Sequence, residues 1–405
     1  MHREYSDDVN SNNLNHILMN KTTKTLALIA VSALFALGFN SCGKDQIIEE
    51  KNKETKEAIV KQYLDQTVYP TYGKLAVESQ NLVDDLEALK ANMTQNNLNQ
   101  ATVSFLEARK WWEMSEAFLF GAASDFGIDP HIDSWPLDED AFNNLMASPN
   151  MIEMLAGDED GTVAGEQLGN ALLGFHGIEY ILFREGQPRD VNEVNNDMMT
   201  YVIAVSRDLR NRCFQLEVSW NENAHADHAA LMEELELNTT VNGGNNSYGS
   251  NMLLAGQAGS TYASFTNALQ AIADGCIDIA DEVGTSKIGK PHTGEDPHYV
   301  ESPYSQKSKD DFYDNIISIQ NAYMGGMKSS RDEDRSLHAY IADGNAELDT
   351  KAVNAINNAL EKINAMRAPF VQYYADATAG TAMEACQELS DVMAEVKEEI
   401  AKLDK

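Results

Sequence analysis

From Glu54 onward apolar residues return at every third or fourth position: Ile59, Tyr63, Val68, Leu75, Leu82, Leu86 and Leu89, with Asp, Glu and Lys between them. That spacing puts one apolar stripe on a helix of ~3.6 residues per turn, and no long stretch shows the alternation of a strand. The same period predicts helices over about 98–123, 140–149, 161–185, 191–220, 222–237, 252–284, 307–329, 333–344, 348–367 and 379–403. Long helices joined by short links pack as bundles. With 9 Pro and 25 Gly in 405 residues, the chain is also poor in the turn formers of an all-β fold. The fold class expected is therefore all-α. An Asn- and Gly-rich loop at 238–251 and a domain size of ~150 residues suggest two packed four-helix-bundle-like domains, 56–240 and 241–405.

Charge narrows the partners. Lys and Arg number 30 against 64 Asp and Glu, a formal charge of −34. Such a surface repels phosphate backbones and anionic lipid, which excludes nucleic acid and favours cations or proteins with basic faces.

The start of the chain reads as an address. Lys21 and Lys24 precede an apolar run, Leu26 to Phe39, which ends at Asn40-Ser41-Cys42-Gly43. Fourteen apolar residues are too few to span a bilayer, where ~20 are needed, but they suit an export signal. With a Cys directly after it, residues 1–41 resemble a bacterial lipoprotein signal of the Bacteroidetes type, its usual n-region beginning at Met19. Cys42 is then the expected lipidation site, residues 42–55 a charged tether, and membrane contact runs through Cys42 only. The expected location is the outer membrane, on its periplasmic side or at the cell surface. The other cysteines, Cys213, Cys276 and Cys386, match no metal or redox spacing and are expected as buried free thiols.

Chemistry concentrates in three segments. In Gly174-Phe175-His176-Gly177-Ile178-Glu179, a His and a Glu three residues apart share one face of a helix that is otherwise apolar all round. A buried carboxylate there needs a partner or a metal, and the glycines admit another backbone or a ligand. Iron-holding helical bundles use a carboxylate and a His at this spacing; a His–Glu hydrogen bond that only fixes packing is the alternative. The second segment, Arg109 to Gly121, carries Ser115 and Glu116 on an apolar helix end. The third, Ile128 to Glu139, gathers Asp129, Asp133, Trp135 and Asp138 in a loop.

Together these segments resemble the imelysin-like family, peptidase M75, whose hallmark is GxHxxE in a GFHxIE context. The SEAFLFG helix, the WPLDE loop, Glu301-Ser302-Pro303-Tyr304-Ser305, the Asp311–Tyr323 segment and the stretch from Gly275 to Ile288 are similar to it as well. The resemblance covers about 60–400 and implies an exported envelope protein linked to iron uptake, with a site between two helical bundles. Carried onto this sequence, it implies metal ligands His176, Glu179, Glu116 and Asp133. Ser115, Asp129, Trp135, Asp138, Asp314 and Asn315 are expected around them, together with an envelope uptake partner. Carboxylates with one imidazole suit iron, zinc or manganese, and the family favours iron. The ligand is then a metal or an iron-containing species. A metal-dependent peptidase is the runner-up, but no HExxH or GxSxG is present, and Tyr180 stands where a second His would fall. A third reading is an interaction protein in which the His–Glu pair is structural.

Overall fold

A computed structural model describes residues 43–404. The signal-like segment and Cys42 lie outside the described residues. Helix α1 (Gly43–Tyr63) continues through one wide turn, Leu64–Val68, into α2 (Tyr69–Ala91). The stretch 43–55, expected as a tether, is thus helical. Long helices follow: α3 (Gln95–Glu113), α4 (Gly174–Leu182), α5 (Asn196–Trp220), α6 (Phe265–Glu282), α7 (Ser308–Met324), α8 (Ala346–Ala365) and α9 (Ala377–Lys402). Among the described residues the β structure consists of a two-residue antiparallel pairing, Phe183–Arg184 with Gln187–Pro188. The protein is all-α, and no described helix is long and apolar enough to cross a membrane.

The helix starts follow local chemistry. Thr94, Asn195, Ser264, Asn345 and Asp376 each accept a hydrogen bond from a backbone N–H of the first turn of α3, α5, α6, α8 and α9, at 2.9–3.3 Å. Such caps satisfy amides that would otherwise lack partners, a contribution of ~1 kcal/mol each. Helices α2, α3, α4 and α5 pack together, as do α6, α7, α8 and α9. Contacts of α7 with α3, and of α6 with the turn after α3, join the two sets. From Thr55 onward the chain forms one compact unit. Helix α5 buries residues on nearly every face from Met199 to Trp220, so it lies inside the first set rather than on its surface. Cys213, Cys276 and Cys386 are buried free thiols.

The period misleads most plainly in three places. The helix expected over 98–123 ends at Glu113, and a tight turn, Glu116–Phe118, and a short helix, Ala122–Asp125, follow it. Residues 161–185 form a short helix, Thr162–Gln167, one tight turn, Asn170–Leu172, and then α4. Leu172, Leu173 and Phe175 keep the apolar run going, but Gly174 takes φ +67° and restarts the chain in a new direction. Likewise α6 begins at Phe265 and not near 252, because positive-φ glycines at 256 and 259 end the preceding helix, Tyr248–Leu253.

Candidate functional site

The break at Gly174 is what builds the site. A Cβ at this position would lie 1.9 Å from the carbonyl oxygen of Ile132. Only glycine lets the start of α4 press against the Ile132–Asp133 backbone, and this contact brings His176 to Asp133. Gly177 serves the same approach from the other side: a Cβ there would fall 2.3 Å from the Tyr201 hydroxyl, which donates to the Leu172 carbonyl at 2.7 Å. Both motif glycines thus seat α4 against neighbouring elements.

His176 and Glu179 are buried and engage different parts of the chain. His176 Nε2 lies 3.0 Å from Asp133 Oδ1, and its Nδ1 lies 3.5 Å from Glu179 Oε2. Glu179 Oε1 accepts from both the backbone N–H and the hydroxyl of Ser305, each at 2.7 Å. Burial opposes a charge on His176, but the hydrogen bonds to Asp133 and Glu179 prevail and push it up to about 9. Both ring nitrogens thus have a carboxylate partner in this structure, Asp133 at Nε2 and Glu179 at Nδ1. The motif pair therefore holds the Asp133 loop and the 301–305 segment to one helix.

Behind this pair lies a buried ionic network. Arg109 on α3 bonds Asp133, Glu113 at 2.5 Å and Glu301 at 2.6 Å. Trp112 Nε1 donates to Asp133 Oδ2 at 2.7 Å. Lys287 Nζ sits 3.1 Å from Glu301, 3.4 Å from Glu116 and 3.6 Å from Glu113. Asn315 on α7 donates to Glu113 Oε2 at 2.6 Å. With Asp311 and Glu179, six buried carboxyl groups face two permanent cations and one imidazole. Burial raises Glu116 well above the usual carboxylate range; Lys287 offsets this only in part, and Glu113 adds to it. Burial likewise pushes Glu301 up to about 7 against the pull of Lys287. Burial would raise Asp133 as well, but Arg109 and then His176 hold it below the usual range.

Glu113, Glu116 and Asp133 each offer one carboxylate oxygen, all within 4.8 Å of one another, close enough to share a cation. Glu116 and Asp133 are thus brought together with Glu113, while His176 meets Asp133 at 3.0 Å and Glu179 lies beyond it. Asn315 joins the network. Ser115 is buried, and its hydroxyl donates to the Trp112 carbonyl at 2.7 Å. Half-buried Asp129 is pushed up to about 7 by burial and by Asp133. Trp135 lies 6.4 Å from the His176 ring and packs at 3.8 Å on Tyr299. Two expected residues serve elsewhere. Asp138 is exposed and caps the helix Glu139–Met146 through the Ala141 N–H. Asp314 lines a surface groove with Lys309, Asp310, Tyr313 and Asn364. Arg109, Glu113, Lys287, Glu301 and Asp311 were not anticipated as site residues, although each stands in a segment that carries the family likeness.

The raised groups predict a pH dependence. Glu301, Asp129 and Asp314 reach about 7 from ordinary values of 4.5 and 3.8, so the folded protein keeps protons that the unfolded chain has released. Stability falls wherever the folded state binds more protons and pH rises, here from about pH 5 to 7. His176, raised from 6.5 to about 9, extends the fall. Its contribution is whole below its ordinary value and lost through about 9. Thermal midpoints measured in chelator should decline steadily from about pH 5.5 to 9; a rise across that window would contradict the assignment.

The chain belongs to the imelysin family (Peptidase M75), whose model matches residues 68–396. Iron-regulated protein A of Synechococcus elongatus is 26% identical over 287 residues, which cover 71% of this chain and 68% of that protein. A crystal structure from Parabacteroides distasonis, described as an iron-regulated protein A precursor, superposes with a TM-score of 0.73 at 28% identity, covering 86% of this chain and 95% of that one. An imelysin-like protein from Psychrobacter arcticum shares the fold, with a TM-score of 0.54 at 14% identity over 85% of this chain and 93% of its own.

Proposed function

We propose that this protein is an iron-linked binding protein whose buried carboxylates Glu113, Glu116 and Asp133 hold a divalent cation. The observation that carries this reading is the excess of buried carboxyl groups over cations around those three residues. An unpaired buried charge costs several kcal/mol, so the excess is met by protons or by a cation. Glu301 Oε2 and Asp311 Oδ2 are buried and accept no hydrogen bond from any described residue, which leaves acceptor capacity at the centre. An all-oxygen donor set suits hard and borderline cations such as iron(II) and manganese(II). The iron-regulated names of the relatives support iron.

His176 and Glu179 act here as holders: they fix Asp133 and the Ser305 segment while the acids bind. The test is metal content of residues 43–405 after incubation with iron, zinc or manganese, with Glu116→Gln and Asp133→Asn beside the wild type. About one metal per chain is expected, weakened at least ~tenfold in each variant. A wild-type chain that holds no stoichiometric metal sinks the reading.

A further inference from the structure

The cation seat is already shared by a side chain. Lys287 Nζ approaches Glu113 and Glu116, two of the three carboxylates within reach of one ion, and is 2% exposed. Its three contacts, at 3.1, 3.4 and 3.6 Å, are longer than the ~2.8 Å of a strong charge-assisted hydrogen bond. The ammonium donates to Glu301 and Glu116 with Glu113 alongside, so it is shared among three acids instead of docked on one. Burial opposes its charge, and Glu116, Glu301 and Glu113 more than restore it.

Two features let it move. Lys287 ends a wide π-helical turn, Val283–Lys287, that follows α6, and turns of this kind often mark functional sites. Its four-carbon stem can swing without backbone motion. A landing place stands five positions earlier, where the same wide turn begins: Glu282, exposed at the end of α6, also acts electrostatically on Lys287.

We propose that Lys287 is a displaceable internal counter-ion, which occupies the acid centre in the cation-free protein and withdraws toward Glu282 when a divalent cation binds Glu113, Glu116 and Asp133. This rests on the cation-binding reading above. Two positive charges and direct oxygen ligation outcompete one shared ammonium, whereas a monovalent ion gains little over it. Lys287 thereby sets affinity and favours divalent ions.

Calorimetric titration with Mn²⁺ and Zn²⁺ tests this on residues 43–405, using the wild type, Lys287→Met and Lys287→Gln. Removing the competitor should tighten binding by at least ~tenfold, one decade in Kd, and leave a cation-free variant with a lower melting point that cation restores. Lys287→Gln keeps hydrogen-bond donors in the pocket, so it tests the charge should Lys287→Met not fold. In the wild type, saturating Mn²⁺ should increase acylation of Lys287 by an amine-reactive reagent, read by peptide mass spectrometry. If the wild type binds and both variants bind equally or more weakly, the counter-ion role is overturned and the binding site stands. If no form binds either ion, the site reading falls and this inference with it.

Discussion

Arg109→Met should cost the fold ~3–5 kcal/mol, the penalty of stripping one partner from a buried ionic group. Arg109 is 2% exposed, and its guanidinium serves Glu113, Asp133 and Glu301, themselves buried. Methionine fills much of the volume and supplies no charge. Lys287 and His176 would then stand against all six carboxyl groups, and the acids could escape the cost only by taking up protons. The loss should therefore be largest near neutral pH and smaller near pH 5, the sign expected when the variant binds extra protons in its folded state. Since whole domains carry only ~5–15 kcal/mol, the variant should unfold at a much lower urea concentration. Arg109→Lys should fall between, because one ammonium cannot reach three carboxylates as a planar fork does. A Met variant with an unchanged urea midpoint would show that the network contributes nothing to stability.

The helical class was legible because each long helix carries a stripe of apolar residues, and α2 shows it plainly in Leu75, Leu82, Leu86 and Leu89. Part of the site was legible for a related reason: His176, Glu179 and Glu116 are polar residues inside apolar runs, which burial tolerates only with partners. The partners themselves were hidden. Arg109 meets Glu301 across 192 positions and Lys287 meets Glu116 across 171. A helical period says which face is buried, not which faces meet. Arg109 and Glu113, one turn apart beside Trp112, did carry a signal: two opposite charges on a buried stripe. Acids in loops carry none, for Asp133 and Asp138 stand five residues apart in one segment, and one enters the network while the other caps a helix. Spacing alone also left HxxE open between a metal ligand and a packing pair, and gave no sign that its partners would be Asp133 and Ser305.

Gly174→Ala should be the most damaging Gly→Ala change among the described residues. The residue sits at φ +67°, where a side chain costs ~1 kcal/mol or more. The new Cβ would also lie 1.9 Å from the Ile132 oxygen and 2.3 Å from its carbonyl carbon. Those atoms belong to backbone one residue before Asp133, so relief requires α4 and the Asp133 loop to part. The His176–Asp133 contact at 3.0 Å would be lost with them. The expected loss is ~4 kcal/mol, in the range reserved for backbone strain combined with a broken buried network. His176, without Asp133, should titrate well below its present value of about 9, a change readable in its ring proton shifts by NMR. Gly177→Ala is the control. Its Cβ would meet the Tyr201 hydroxyl at 2.3 Å, the far end of a side chain, and the Leu172 carbonyl oxygen at 3.1 Å, with no positive φ to strain. Tyr201 can turn aside at the loss of its hydrogen bond to Leu172, ~1–2 kcal/mol, leaving His176 on Asp133. The two variants should therefore separate in melting point and in His176 titration. Equal effects from both would mean that the close approach at Ile132 does not hold the site together.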